Sequence, residues 1–157
     1  MKLMDTILGQ LLNRSSLMLT EHYFWRNAFN DPIFRKWILD LIRNDQLFKK
    51  GIDMDGDIIG YYSEFTEKIN PLKKAGTHYT LKDTGEFFDS MIIYIYTNYI
   101  EIDADPLKKN ESGETENLFY KYSEAIIGLT DENMDKLAWE LLRRYRVEIN
   151  RVLSVNR

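Results

Sequence analysis

The sequence contains no cysteine. Disulfides, thiolate metal sites and cysteine nucleophiles are therefore excluded, and the absence fits a reducing compartment. Three prolines and eight glycines in 157 residues are too few for a low-complexity or collagen-like chain. No apolar run reaches the roughly 18 residues that a membrane-spanning helix needs, so no membrane partner is expected. The best candidate, "SMIIYIYTNYI", is about half that length and rich in β-branched and aromatic residues. At the N-terminus, "MKLMDTILGQLLNRSS" has Asp5 and Gln10 among its apolar positions and no small-residue cleavage pattern, which predicts no secretory signal.

A basic face is also missing. Net charge is −4 and unevenly spread: eight Lys/Arg against five Asp/Glu over 1–50, seven against fifteen over 51–129, and six against five over 130–157. An acidic middle between mildly basic ends argues against sequence-specific nucleic-acid binding. It favours protein contacts set by charge.

What is present is a globular composition, with 44% apolar residues and 13% aromatic, which rules out disorder over most of the length. The length suits one domain over 1–157. Leu3, Ile7, Leu8, Leu11 and Leu12 repeat at helical spacing, with a break near Ser15 and Ser16, after which "LTEHYFWRNAF" continues as a helix. In "NDPIFRKWILDLIRND", Asp31 is a good N-cap and Pro32 suits the first helical position. Ile33, Phe34, Trp37, Ile38, Leu41 and Ile42 form a stripe that reads as a core face.

The period then shortens. "DIIGYY" and "MIIYIYTNYIEIDA" read as strands, the second as a bent pair with Asn98 at its turn and both faces at least half covered. "PLKKNESGETEN", residues 106–117, reads as a mobile surface loop. "GLTDENMDKLAWELLRRYRVEINRVL" offers Thr130 as N-cap, Asp131 and Glu132 in the first turn, and arginines toward the C-terminal half, as the helix dipole favours. Its stripe is Met134, Leu137, Ala138, Leu141, Tyr145, Ile149 and Val152. The fold class predicted is α+β, with N-terminal helices, a small mostly antiparallel β-sheet with hairpins, and a long C-terminal helix. Residues 1–50 form a helical N-terminal extension, 51–129 a β-rich acidic middle, and 130–153 the last helix.

One segment raises the question of a metal. "DMDGDIIGYYSE" places Asp53, Asp55, Asp57 and Glu64 at positions 1, 3, 5 and 12 of a calcium loop. Position 6, which requires glycine for a sharp turn, is Ile58, and the glycines fall at Gly56 and Gly60. No second loop is present, and Pro71 cuts short the segment that would be the exit helix. Asp55-Gly56 instead reads as a two-residue hairpin turn joining "GIDM" to "DIIGYY", so no metal site is expected.

Other chemistry is sparse. His22 and His78 lack spaced partners and read as structural. Ser15, Ser16, Ser63, Ser90, Ser112, Ser123 and Ser154 have no nucleophile-elbow context. No phosphate-binding loop occurs. Asp103 and Asp105 read as a solvated strand end. The expectation is a protein that is not an enzyme and carries no cofactor. The alternatives are a calcium- or metal-regulated module using residues 53–64 and a small hydrolase.

Two motifs carry a family resemblance. "LKDTGEFFDSM", residues 81–91, resembles the Leu-x-x-Thr-Gly-x-Leu/Phe-x-x-Ser signature of small neck proteins of tailed bacteriophages, through Leu81, Thr84, Gly85, Phe87 or Phe88, and Ser90. "IIGLTDEN", residues 126–133, is similar to the stretch that opens the last helix in that group, through Gly128, Leu129 and Thr130. Residues 40–153 are covered, and the helical N-terminus is longer than in typical members. The resemblance implies a tail-completion or head–tail joining protein of the virion, assembled in the host cytoplasm. It would form a homo-oligomeric ring and contact other neck, portal-adaptor or tail proteins. By physical reading the first motif is a corner: Asp83 or Thr84 caps a turn, Gly85 takes a conformation other residues resist, and a phenylalanine is buried ahead of "IIYIY".

Overall fold

The computed structural model describes residues 21–97, 99–109 and 114–153. The predicted helix over residues 3–12, the break at Ser15 and Ser16, the Asn98 turn residue and Ser112 and Ser154 lie outside them. The fold is α+β: helices, two small antiparallel sheets of two strands each, and a long C-terminal helix.

Helices α1 (Glu21–Asn30) and α2 (Pro32–Asp40) meet at Asp31, whose carboxylate accepts the Ile33 N–H at 2.9 Å, with Pro32 at the first helical position. From α2 the chain runs on without a break into a π-helix, Leu41–Lys50, closed by Gly51 in the left-handed region. Its buried residues are Leu41, Ile42, Gln46 and Leu47. They repeat at five, the spacing of a helix whose bonds run i to i+5 rather than i to i+4. Residues 28–47 contribute to the core: Phe29, Phe34, Ile38, Ile42 and Leu47 are, with Ile126, its most deeply buried apolar side chains. Ile33, placed on the apolar stripe by its spacing, is 76% exposed. It is the second residue of α2, where the stripe has not yet turned inward.

The middle is less β-rich than its composition predicts. Strands β1 (Ile92–Ile95) and β2 (Ile100–Asp103) pair in register, Ile93 opposite Ile102 and Ile95 opposite Ile100. These four isoleucines face the core. "DIIGYY" forms no strand; it makes only single bridges, Ile52 with Ile58 and Tyr61 with His78. Short helix α3 (Glu64–Ile69), capped by the Ser63 hydroxyl, follows it and ends before Pro71. Residues 106–117 are not simply a loop: β3 (Leu107–Lys109) and β4 (Thr115–Asn117) pair as a hairpin with Lys108 opposite Glu116. The two charged side chains reach away from each other, Lys108 to Asp83 at 2.9 Å and Glu116 to Lys121 at 2.6 Å, and tie the hairpin to its surroundings in a segment whose few apolar residues hide it.

Short helices α4 (Glu86–Ser90) and α5 (Leu118–Tyr122) and a 3-10 turn (Glu124–Ile127) bring Phe87, Phe88, Leu118, Ile126 and Ile127 to the core. Helix α6 (Asp131–Leu153) closes it with Leu137, while Leu141 packs alongside. Met134 and Ala138, expected on the buried stripe, are exposed at the edge of a groove.

Candidate assembly surfaces

The two motif segments are joints. At the first, Gly85 (φ 95°) precedes α4 and Phe87 and Phe88 are both buried. The Thr84 hydroxyl accepts the Glu86 N–H at 3.4 Å, and Leu81 packs against the core with a positive φ of 51°. The Ser90 hydroxyl donates to the Phe87 carbonyl at 2.8 Å and accepts the Asp105 N–H at 3.0 Å, so it ties α4 to the chain after β2. Arg43 of the π-helix donates to the Met91 carbonyl at 2.8 Å. Asp83 bridges Lys73 at 3.2 Å and Lys108 at 2.9 Å, and the Lys108 hydrogen bond holds its carboxyl below the usual Asp range.

The second joint is buried and polar. Gln46 and Asn133 are fully shielded from solvent. Gln46 donates to the Gly128 carbonyl at 2.8 Å; its side-chain oxygen accepts from the Thr130 N–H at 3.0 Å and from the Asn133 amide at 2.8 Å. Thr130 caps α6 by accepting the Asn133 N–H at 3.3 Å. The place of Thr130 was readable in the sequence. The role of Gln46 was not, because its partners lie more than eighty positions away. Leu129 packs on the core, and a Cβ on Gly128 would sit 2.6 Å from the Met54 sulfur, so the motif admits no side chain there.

At the acidic loop, the Asp53 carbonyl accepts the Gly56 N–H and the Asp57 carbonyl accepts the Asp53 N–H. Among described non-glycine residues only Leu81 and Ser123 have positive φ, so of the central pair Gly56 (φ 84°) alone is left-handed. This makes a three-residue turn, Met54 to Gly56, in place of the two-residue turn the Asp-Gly pair predicts. The Asp53 carboxylate accepts the N–H groups of Asp55 and Asp57, both at 3.0 Å. Glu64 starts α3. Among the described residues no three His, Cys, Asp or Glu side chains are grouped to hold a metal. Millimolar calcium, or EDTA, is therefore expected to move the melting temperature by less than about 1 °C; a rise of several degrees in calcium would restore the calcium-loop reading.

His78 is half-buried with Nε2 3.2 Å from the Phe48 carbonyl, a structural contact. His22 belongs to α1. Ser63 and Ser123 cap short helices. The Asp103 and Asp105 carboxylates accept the N–H groups of Ala104 and Leu107, which accounts for them as turn residues.

Among the described residues, three apolar surfaces stand out. A groove of about 830 Å³ runs between β2 and α6, lined by Met54, Ile100, Ile102, Leu129, Met134 and Leu141 among others. The outer side of the β1–β2 hairpin exposes Ile92, Tyr94, Tyr96 and Tyr99, with the last two rings stacked at 4.5 Å. The outer side of α6 exposes Trp139, Leu142 and Val147 beside arginines. The alternation of "MIIYIYTNYIEIDA" predicts two faces at least half covered, whereas one of them is an exposed row of aromatic side chains; the outer side of α6 is hidden in the sequence by the stronger signal of the inner stripe. No helix among the described residues is long and apolar enough to cross a membrane. No known protein family, curated protein or solved structure matches the chain.

Proposed function

We propose that the chain is a structural virion protein of a tailed bacteriophage, one subunit of a ring in the head–tail connector, neck or upper tail. The observation that carries this reading is the pair of exposed apolar faces on two different elements, the hairpin edged with carboxylates and the C-terminal helix with arginines. Monomeric proteins seldom leave several such patches open, whereas subunits of assemblies do. The two resembling motifs act as joints that place the hairpin and α6 rigidly, which is what a ring subunit requires. The reading assigns no catalytic role, and the polar groups at those joints are consumed in holding the scaffold.

Mass spectrometry of purified virions from the phage that encodes the chain is the test. The expected result is its presence at a copy number of one ring per particle. Abundance in infected cells together with absence from particles would overturn the proposal.

A further inference from the structure

We propose that copies of this chain join head to tail, the outer face of the β1–β2 hairpin of one copy seated on the outer face of α6 of the next. The pairing rests on the ring reading above and names the surfaces that make it.

In the hairpin, side chains alternate between the two sides of the ribbon. Ile93, Ile95, Ile100 and Ile102 turn inward. Ile92, Tyr94, Tyr96, Tyr99, Glu101 and Asp103 are all exposed. A two-stranded ribbon with one face on a core and the other in water normally carries polar residues outward. Here the outer face is an isoleucine and three tyrosines, and its charges are both negative. Neither carboxylate is in a salt bridge with any described residue.

Helix α6 has the matching surface. Its inner stripe, with Leu137 and Leu141, faces the core and the groove. On the other side Trp139, Leu142, Arg143, Arg146 and Val147, with Trp37 of α2, line a shallow dish of about 640 Å³. Trp139 is 69% exposed. Arg143 is held by Glu140, which Arg144 also neutralises. Arg146 has no ion pair with any described residue. Tryptophan and arginine in a concave surface are the composition of a binding hot spot, and tyrosines are its usual partners.

Sign and geometry choose the partner. Hairpin against hairpin would bring Glu101 and Asp103 onto their own copies, and dish against dish would do the same with Arg146; both juxtapositions are repulsive. Hairpin against dish pairs opposite charges over apolar centres. The two faces cannot meet within one chain, because the hairpin and α6 already share the core and groove through their inner sides. Two different patches on each copy make a heterologous contact, which propagates until rotation closes it into a ring.

The test is native mass spectrometry of the full chain with two variants. Tyr94→Glu with Tyr99→Glu disables the hairpin face; Trp139→Glu with Arg146→Glu disables the dish, and the two altered faces, both acidic, repel each other. Each variant alone is expected to stay monomeric at concentrations where the unaltered chain assembles. An equimolar mixture is expected to give a one-to-one dimer and nothing larger, since one good hairpin meets one good dish. A mixture that stays monomeric, variants that assemble like the parent, or a parent that is monomeric at about 50 μM would each overturn the pairing. Tyr94, Tyr99, Trp139 and Arg146 are all exposed, so melting curves should be unchanged. A gentler set uses Glu101→Arg and Arg146→Glu: each single change is expected to raise the half-assembly concentration roughly ten-fold or more, and the double change to restore most of it. A protein absent from virions that still passes these tests would leave the pairing standing and remove the neck reading. A virion protein whose rings tolerate both altered faces would do the reverse.

Discussion

Replacing Gln46 with leucine is expected to cost about 3–5 kcal/mol of folding stability. Leucine is of similar size but leaves the Gly128 carbonyl and the Thr130 N–H without the partners Gln46 gives them, and leaves the Asn133 side-chain NH2 with only its 3.4 Å contact to the Leu41 carbonyl. An orphaned buried polar group costs roughly 1–3 kcal/mol, because water no longer reaches it and nothing replaces it. The loss falls on one joint, where the π-helix meets the start of α6. Urea denaturation would measure it, and a change below about 1 kcal/mol would mean the network does not hold the two segments together. Gln46→Glu separates charge from shape. The glutamate keeps both acceptor contacts, but it donates to the Gly128 carbonyl only when protonated. Burial and that carbonyl raise its folded pKa, so its stabilising contribution is present at acidic pH. The contribution is lost as pH rises above the ordinary Glu value of about 4.3 and through the folded one.

Local chemistry marked some elements clearly. Asp31-Pro32 and Thr130-Asp131 announce helix starts, because a cap acts within three residues. The β1–β2 hairpin followed from the period-two placing of Ile93, Ile95, Ile100 and Ile102 against tyrosines and carboxylates. Other features depend on distant partners. The π-helix exists because Leu41, Ile42, Gln46 and Leu47 must all reach a core that includes α6, and their i, i+5 spacing was the only local sign. "DIIGYY" has strand composition, yet its neighbours are loop residues around Gly51 and Gly60, so it finds single bridges and no ladder. β3–β4 has little apolar content and is anchored by Lys108 on Asp83 and by Lys121 on Glu116. Residues 1–50 read as a helical extension because the apolar stripe over 33–42 is strong enough to look self-contained; the core that this stripe joins includes Phe87, Phe88, Ile126 and Leu137, far along the chain. The motif residues behave as joints in the structure, and what is exposed around them is the material of the proposed assembly.

Phe34→Ala is expected to cost about 3–5 kcal/mol and to lower the melting temperature by roughly 10 °C or more. The ring is 1% exposed, lies 5.4 Å from the Phe29 ring and is stacked on Trp37 at 5.7 Å. Its removal opens a cavity between α1, α2 and α6 that a rigid core cannot refill. It also takes the platform from Arg144, whose guanidinium sits 4.2 Å above the ring while donating to Asp31 at 2.8 Å and Glu140 at 2.9 Å. The Arg144 hydrogen bond holds the Asp31 carboxyl below its usual range. That stability is present above the ordinary Asp value of about 3.9 and is lost as pH falls through the folded value. Arg144→Met keeps the aliphatic contact and removes the charge, so its cost should be smaller, about 1 kcal/mol, and confined to pH above that range. If ring and guanidinium support each other, the double variant loses less than the two singles together, by about 0.5–1 kcal/mol. Strict additivity would reduce Arg144 to a surface contact, and a mild Phe34→Ala would contradict the packing of α2 on α6 itself.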